Sequence, residues 1–547
     1  MSTRTKAWSR FTARISHEAA AAGSQIFLLL LAALLLGCKP AIQKPAPAKA
    51  RAEHVVICIW DGMRPDFVTA SGTPTLHALA QSGTFFTNNH SQYITTTEVN
   101  GTVLATGVFP ARSGIIANRE FRREINPLAS FATESVEAIR KGDELTGGKY
   151  LGVSTIAETV QKAGFSTAVS GTKPVALLQD RFFGRSGTRD SLMLFAGKSQ
   201  SPAAFAEIVE ELGPFPPLPS TDVTVENVKP NSAQDTWTTR ALTEVFWKNG
   251  VPKLSILWLN EPDFSQHMTA PGSAAALAGI ANCDTSLAAV LSTLETKGIR
   301  DKTDIFVVSD HGFSTVAKMI NLVAKFKAMG IPAGREFKWA PAPGEVLVVN
   351  TGGSVCIYVA GHVSEMIQKV VDLLQSSDFA GPIFTKDPLP GTFSLKDAHL
   401  DSANAPDVVF SFRALPGPNQ FGTPGLIYGE LERGFGTHGT LGKADVNNLL
   451  IAAGPDIRAG FRDLFPSGNI DVAPTVLHLL GIKAPEPLDG RVLMEALAAV
   501  EWDAPKPQSK RMEATRQIGA LTWRQFIQTT EFAGHSYLDE GNASLEK

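Results

Sequence analysis

The sequence predicts an α/β protein built on a doubly wound, mostly parallel sheet flanked by helices, with loop insertions at its edge. Three observations carry that prediction. Short runs rich in β-branched and aromatic residues alternate with helical patterns along most of the chain. The runs are apolar almost throughout rather than at every second position, as strands buried on both faces are. Acidic and histidine residues follow several of these runs directly, and the carboxyl ends of strands are where an open α/β sheet presents its ligand-binding groups.

The strand candidates, in order, are His54–Trp60 (HVVICIW), Ser166–Ser170, Leu254–Asn260 (LSILWLN), Asp304–Ser309 (DIFVVS) and Leu449–Ala453. Helices are expected over Thr75–Ser82, Val153–Ala163, Ala274–Lys297 and Val472–Leu480. Two stretches break the rhythm, at 119–150 and at 202–235, the second containing PFPPLP. Long irregular connections in compact domains are usually functional, so both are read as insertions able to cover a site. The catalytic domain is expected to span 54–497, with 498–547 as a tail of mixed polar and aromatic character.

The N-terminal segment 1–38 reads as an export signal. Arg4, Lys6, Arg10 and Arg14 form a basic leader, and the apolar run Ile26–Leu36 is too short to span a bilayer as a helix. It ends in Leu35-Leu36-Gly37-Cys38, which resembles a bacterial lipoprotein signal with Cys38 as the acylated residue. The Pro-, Ala- and Lys-rich stretch 39–53 suits an extended tether from a membrane. The expected location is thus a lipid anchor facing the periplasm or the outside. Cys58, Cys283 and Cys356 remain; their odd number excludes a fully paired framework and leaves a Cys283–Cys356 bond open.

In 547 residues, 50 basic and 53 acidic side chains are interspersed for a net charge of −3, which leaves no basic face for nucleic acid. An anionic substrate would therefore need local positive charge. Asp61 follows the first strand run, Asp263 and His267 the third, and Asp310 and His311 the fourth, while His438 lies shortly before the last. An Asp after a strand is ordinarily a cap or turn residue, and each of these alone is unremarkable. Together they bring carboxylates and imidazoles to one sheet edge, a donor set suited to zinc or another first-row dication.

The ordered motifs WDGMRPD (60–66), TPTLHALAQSGTFF (73–86), TTTEVNGTVLATGVFPARSGIIAN (95–118), EPDFSQH (261–267), SDHGF (309–313), GTHG (436–439) and DVAPTVLHLLGIKAPEPLDG (471–490) resemble the alkaline phosphatase superfamily. The resemblance is to its nucleotide pyrophosphatase/phosphodiesterase branch. It implies two divalent metal ions, zinc first among them, held by Asp263, His267 and His438 and by Asp61, Asp310, His311 and Thr97. Thr97 is implied as the nucleophile, placed by the family's spacing of 21 residues before Asn118, with Thr95 and Thr96 as rivals by composition. Attack would give a phosphothreonine that water then hydrolyses, and Asn118 would donate to a phosphoryl oxygen.

This chain departs from the diesterase relatives at Glu98-Val99-Asn100-Gly101, where they carry an aromatic followed by Pro-Asn-His, and at Ser113, where many carry His. Monoesterase relatives carry Lys-x-Arg; here the matching positions are Lys173 and Val175, so the lysine alone is kept. The expected activity is hydrolysis of phosphate diesters or pyrophosphates in a small phosphorylated substrate, with Glu98 expected to repel a dianion. A monoesterase using Lys173, and a catalytically silent ligand-binding lipoprotein, are the alternatives. If Cys38 is the anchor, Cys38→Ala abolishes acylation and cleavage before residue 38. A wild-type N-terminal peptide without a lipid mass on Cys38 would rule this out.

Overall fold

A computed structural model describes residues 52–181, 191–199 and 202–547. The signal segment, Cys38 and all of the tether before Ala52 lie outside the described residues.

The central sheet takes its strands from β1 (His54–Trp60), β2 (Thr84–Phe86), β3 (Thr167–Gly171), β4 (Ser191–Phe195), β5 (Lys198–Ser199), β6 (Leu254–Leu259), β7 (Thr303–Val308), β8 (Leu450–Ala453) and β9 (Phe461–Asp463). Their spatial order is β9-β2-β8-β7-β1-β6-β3-β4-β5. The neighbours β7, β1, β6, β3 and β4 run parallel, which accounts for their continuous apolar character. Successive residues of β1 point to opposite faces, with Val55, Ile57 and Ile59 in one core and Val56, Cys58 and Trp60 in the other.

The expected helices form at Pro74–Ser82, Ile156–Lys162, Ala274–Thr296 and Val472–Leu479. Ala274–Thr296 is long and apolar enough to cross a membrane. Here it packs on the sheet through Ile280, Cys283, Leu287, Val290 and Leu294. Its buried Asp284 caps the Pro74–Ser82 helix by accepting from the amides of Thr75 and Leu76.

β8 runs antiparallel to β7, pairing Leu450 with Val308, so the start of β8 lies beside the end of β7. Residues that precede β8 thereby reach the same edge as residues that follow β7. The first insertion forms a short two-stranded ribbon and a helix at Val136–Thr146. The second holds helices at Pro202–Leu212 and Ser232–Arg240 that pack against one face of the central sheet.

Two features are absent from the sequence-level expectation. A six-stranded sheet with two apolar faces fills much of 333–412. The stretch expected as a mixed tail is a three-stranded antiparallel sheet of Gln508–Ile518, Leu521–Phe532 and His535–Glu546. It packs on the six-stranded sheet through Trp523 and Ile527, and the Gln525 amide group pairs with both backbone groups of Ile383. Cys283 and Cys356 are free, buried in different cores.

Trp523 is fully buried and donates to the Gly391 carbonyl. Trp523→Ala should therefore cost about 3–5 kcal/mol. Urea unfolding checks this, and a loss within error of zero would mean that the C-terminal sheet adds no stability to the domain.

Candidate active site

The cluster is assembled from strand ends. Asp61 follows β1, Asp263 opens the short helix Asp263–Met268 after β6, and Asp310 and His311 follow β7. His438 comes from the connection entering β8. Thr97 is the first residue of the helix Thr97–Thr106, whose residues are all buried. The extended backbone of Thr96 turns the chain into that helix.

The three neighbouring threonines differ in where each hydroxyl points. Thr95 Oγ1 donates to the Thr440 carbonyl, and Thr96 Oγ1 lies 3.5 Å from the Ile94 carbonyl. Thr97 Oγ1 faces the cluster, 3.2 Å from His311 Nε2. His311 Nε2 is also 3.2 Å from Asp310 Oδ2 and 3.6 Å from Asp61 Oδ1. Asp263 Oδ1 lies 3.3 Å from His267 Nε2 and 3.5 Å from His438 Nε2.

All three imidazoles are oriented in the same way. Nδ1 of His311, His267 and His438 pairs with the carbonyl of Gly312, Gly436 and Thr95, respectively. An Nδ1–H bonded to a carbonyl leaves the Nε2 lone pair free, here aimed at the carboxylates, which is how metal-ligating histidines are held.

The carboxylates are fixed with equal care. Asp61 Oδ2 accepts from Trp258 Nε1 at 2.9 Å, and Asp310 Oδ1 accepts from the amides of Gly62 and His311. Gly62 has φ 71°, and a Cβ there would meet the Phe313 ring at 2.9 Å, so glycine is needed for its amide to reach Asp310. One oxygen on each acid, Asp61 Oδ1, Asp263 Oδ1 and Asp310 Oδ2, is buried without a hydrogen bond. Buried carboxylate oxygens left bare are costly, and divalent cations satisfy them. The donor set therefore fits the two-metal assignment.

Two groups of possible ligand atoms fall within 4.8 Å of one another: Asp263, His311 and His438, and Asp61, Asp310 and His311. The second group matches its expected set. In the first, His311 stands in for His267, whose side chain is about one-third exposed. His311 is thus common to both groups, and lies 3.2 Å from both Thr97 Oγ1 and Asp310 Oδ2.

Lys173 lies inside this cluster. Its Nζ is 2.9 Å from Asp263 Oδ2 and 3.0 Å from Asp61 Oδ2, bridging an acid of each set. Val175 does not stand at a phosphate site. It is fully buried in the core, and a Cβ on Gly101 of the Thr97 helix would meet it at 2.7 Å.

Asn118 Oδ1 accepts from the Glu98 amide at 3.1 Å, beside Thr97. Glu98 turns toward Glu134 of the first insertion; burial and this neighbour push its carboxyl well above the usual carboxylate range. Burial and the neighbouring carboxyl both favour the neutral form of Glu98, the opposite of the charge that repulsion of a dianion needs. The first insertion thus borders the site. The second supports it from the buried side, since Asp235 accepts from the amides of Asn260 and Glu261 ahead of Asp263. Ser113 is buried and bonds locally to the Pro110 carbonyl.

Sequence reasoning missed Trp258, Glu134 and Asp445. Trp258 was hidden inside an apolar strand, and Glu134 in an insertion without regular pattern. Asp445 accepts from Ser314 Oγ and from Thr440 N and Oγ1, tying together the segments just after His311 and His438. Its one visible signal is an acid soon after GTHG.

Fold and site together define an alkaline phosphatase-like α/β protein with two groups of candidate metal ligands at its strand ends. A family model for type I phosphodiesterase / nucleotide pyrophosphatase matches residues 55–414, and the chain belongs to that family. Ectonucleotide pyrophosphatase/phosphodiesterase family member 7 of Rattus norvegicus is 24% identical over 243 residues, 43% of this chain and 49% of the relative. The Homo sapiens counterpart is 23% identical over 252 residues, 44% of this chain and 47% of its own length. The chain thus spans about half the length of the curated relatives it matches. Human ectonucleotide pyrophosphatase/phosphodiesterase 5 superposes with TM-score 0.57 at 17% identity, over 82% of this chain and 100% of that one. An inactive murine form in complex with AMP gives TM-score 0.57 at 18% identity, over 82% and 100% of the two chains.

Burial and the carboxylate of Asp310 push Asp61 well above its usual range. Burial opposes the charge on His311, yet Asp310 and Asp61 raise its pKa to about 9. In the metal-free protein His311 is therefore charged at pH 7, and Asp61 holds its proton more tightly than usual. Ligation needs both deprotonated, so loading releases protons and affinity rises with pH up to about 9. Calorimetric titration with zinc in buffers of different ionisation enthalpy reads the proton count. Loading without proton release would contradict the assignment of His311.

Proposed function

We propose that this chain is a metal-dependent hydrolase of phosphate diesters or pyrophosphates that works through a phosphothreonine on Thr97. The observation that carries this reading is the Thr97 hydroxyl, the one of three neighbouring threonines that faces His311 and the bare carboxylate oxygens. Asp263, His267 and His438 would hold one ion, and Asp61, Asp310, His311 and Thr97 the other, with zinc favoured by the mixed nitrogen and oxygen donors. When bound, the two dications ease ionisation of the Thr97 hydroxyl and offset charge on the attacking and leaving oxygens.

The protein's own residues do the rest. Thr97 Oγ1 attacks phosphorus, the bond to the leaving oxygen breaks, and that oxygen takes up a proton. Water then attacks the phosphothreonine and restores the hydroxyl. Asn118 Oδ1 is occupied by the Glu98 amide, which leaves its Nδ2 donors for a non-bridging oxygen. Thr97 also opens a buried helix, whose terminus favours an anion.

Diesters are favoured over monoesters because Lys173 is already paired with Asp61 and Asp263. Its charge is not free to match the extra charge of a monoester dianion, and Val175 offers none. The AMP held by the murine relative makes nucleoside esters the first substrates to try. We infer further that Cys38 carries a lipid anchor and that the domain works outside the cytoplasm, as the leader suggests.

With zinc or manganese restored after chelation, kcat/KM should be higher on bis(p-nitrophenyl) phosphate than on p-nitrophenyl phosphate. Thr97→Ala should lower kcat at least about a thousandfold, with Thr96→Ala far milder. A tenfold preference for the monoester sinks the diesterase reading; a dead Thr96→Ala with an active Thr97→Ala sinks the nucleophile. Val175→Arg should unfold or destabilise the protein rather than raise monoesterase activity, which thermal melting beside the two assays decides.

A further inference from the structure

Four fully buried asparagines, Asn89, Asn100, Asn448 and Asn469, are linked through their side chains. Buried amides are costly unless their donors and acceptors are paired, and these four pair with one another and with the backbone around them. This group touches two parts of the site. Asn469 Nδ2 donates to the Asp310 carbonyl at 2.6 Å, and Asn448 Nδ2 donates to the neighbouring Ser309 carbonyl. Asn469 Nδ2 also reaches Asn100 Oδ1 at 3.3 Å. Asn100 lies in the Thr97 helix, and its Nδ2 donates to the carbonyls of Thr96 and Gln92 at 3.3 and 3.0 Å.

A short path of hydrogen bonds therefore runs from Asp310 O through Asn469 and Asn100 to the peptide group that joins Thr96 to Thr97. Asn469 itself is held from behind. Asp471, two residues on, accepts from Gly468 N and Arg491 N, and from Tyr537 of the C-terminal sheet.

We propose that Asn469 is a positioning residue that sets the spacing between the Asp310–His311 segment and the Thr97 hydroxyl. It touches neither substrate nor reacting atoms and acts through the Asp310 carbonyl and Asn100. The inference rests on the proposed two-metal reading of the site. Asn89 offers the natural control, because it belongs to the same network but bonds Asn448, Asn469 and Ser467 rather than Asp310 or Asn100.

The test compares Asn469→Ala, Asn469→Asp and Asn89→Ala in the full metal-loaded protein. Asp keeps the acceptor of Asn469 but removes its donors. The two Asn469 variants should lower kcat on bis(p-nitrophenyl) phosphate by about 10- to 100-fold, with KM changed less than about threefold and both ions still bound. The visible absorption of the cobalt-substituted protein should shift in both. Asn89→Ala, matched for loss in melting temperature, should keep kcat and the cobalt spectrum close to wild type. The proposal is overturned if the Asn469 variants leave the spectrum unmoved, or if Asn89→Ala moves spectrum and kcat equally. Should the wild type turn over no phosphodiester, the functional reading fails separately, and the cobalt spectra alone still decide the role of Asn469.

Discussion

Three carboxylates, Asp61, Asp263 and Asp310, meet in a space with almost no access to water, each at most 4% exposed. Like charges in a medium of low dielectric repel strongly and lose their hydration as well. Lys173 is placed between two of them, Asp61 and Asp263. Such an arrangement is tolerable only if cations complete it, and the surrounding structure is organised around that debt. Backbone carbonyls fix the imidazoles, Trp258 and the Gly62 amide fix the acids, and none of these contacts occupies the oxygens that face inward.

The same constraint governs what else the site can recognise. Lys173 is drawn into charge balance beneath the reacting group, so it differs from a lysine free to meet substrate. Glu98 lies against Glu134, and burial with this neighbour raises its pKa, so the pair adds less negative charge beside Thr97 than its composition suggests. Val175 serves packing: it fills the core at the point where Gly101, lacking a Cβ, lets the Thr97 helix come close.

What was legible in the sequence follows from what is local. Strands buried on both faces are continuous apolar runs, and an acid directly after one stands out, so β1, β6 and β7 and their acids were visible within a residue of their observed ends. The direction of β8 was not visible, because a buried strand has the same composition either way. The C-terminal strands were read as tail since their outer faces are charged and their inner faces find partners only in distant parts of the chain, among them the six-stranded sheet and Asp471. Val175 and Glu98 stood out as departures, but their surroundings were not visible. Identity at a position says nothing about which way the side chain points, nor whether a carboxyl has another beside it.

The antiparallel entry of β8 has a consequence for how the molecule is made. His438 pairs with the carbonyl of Thr95, a contact between residues 343 positions apart, and the late strand must slot in beside β7 before that contact exists. Contacts of such long range are slow to form, because the chain must close a large loop before any of them is rewarded. A growing chain that has emerged just past β7 has Asp61, Asp263, Asp310 and His311 but lacks His438. The full cluster of carboxylates and imidazoles therefore belongs to the end of folding, and a partly formed chain can gather acids at one edge before the last imidazole joins them.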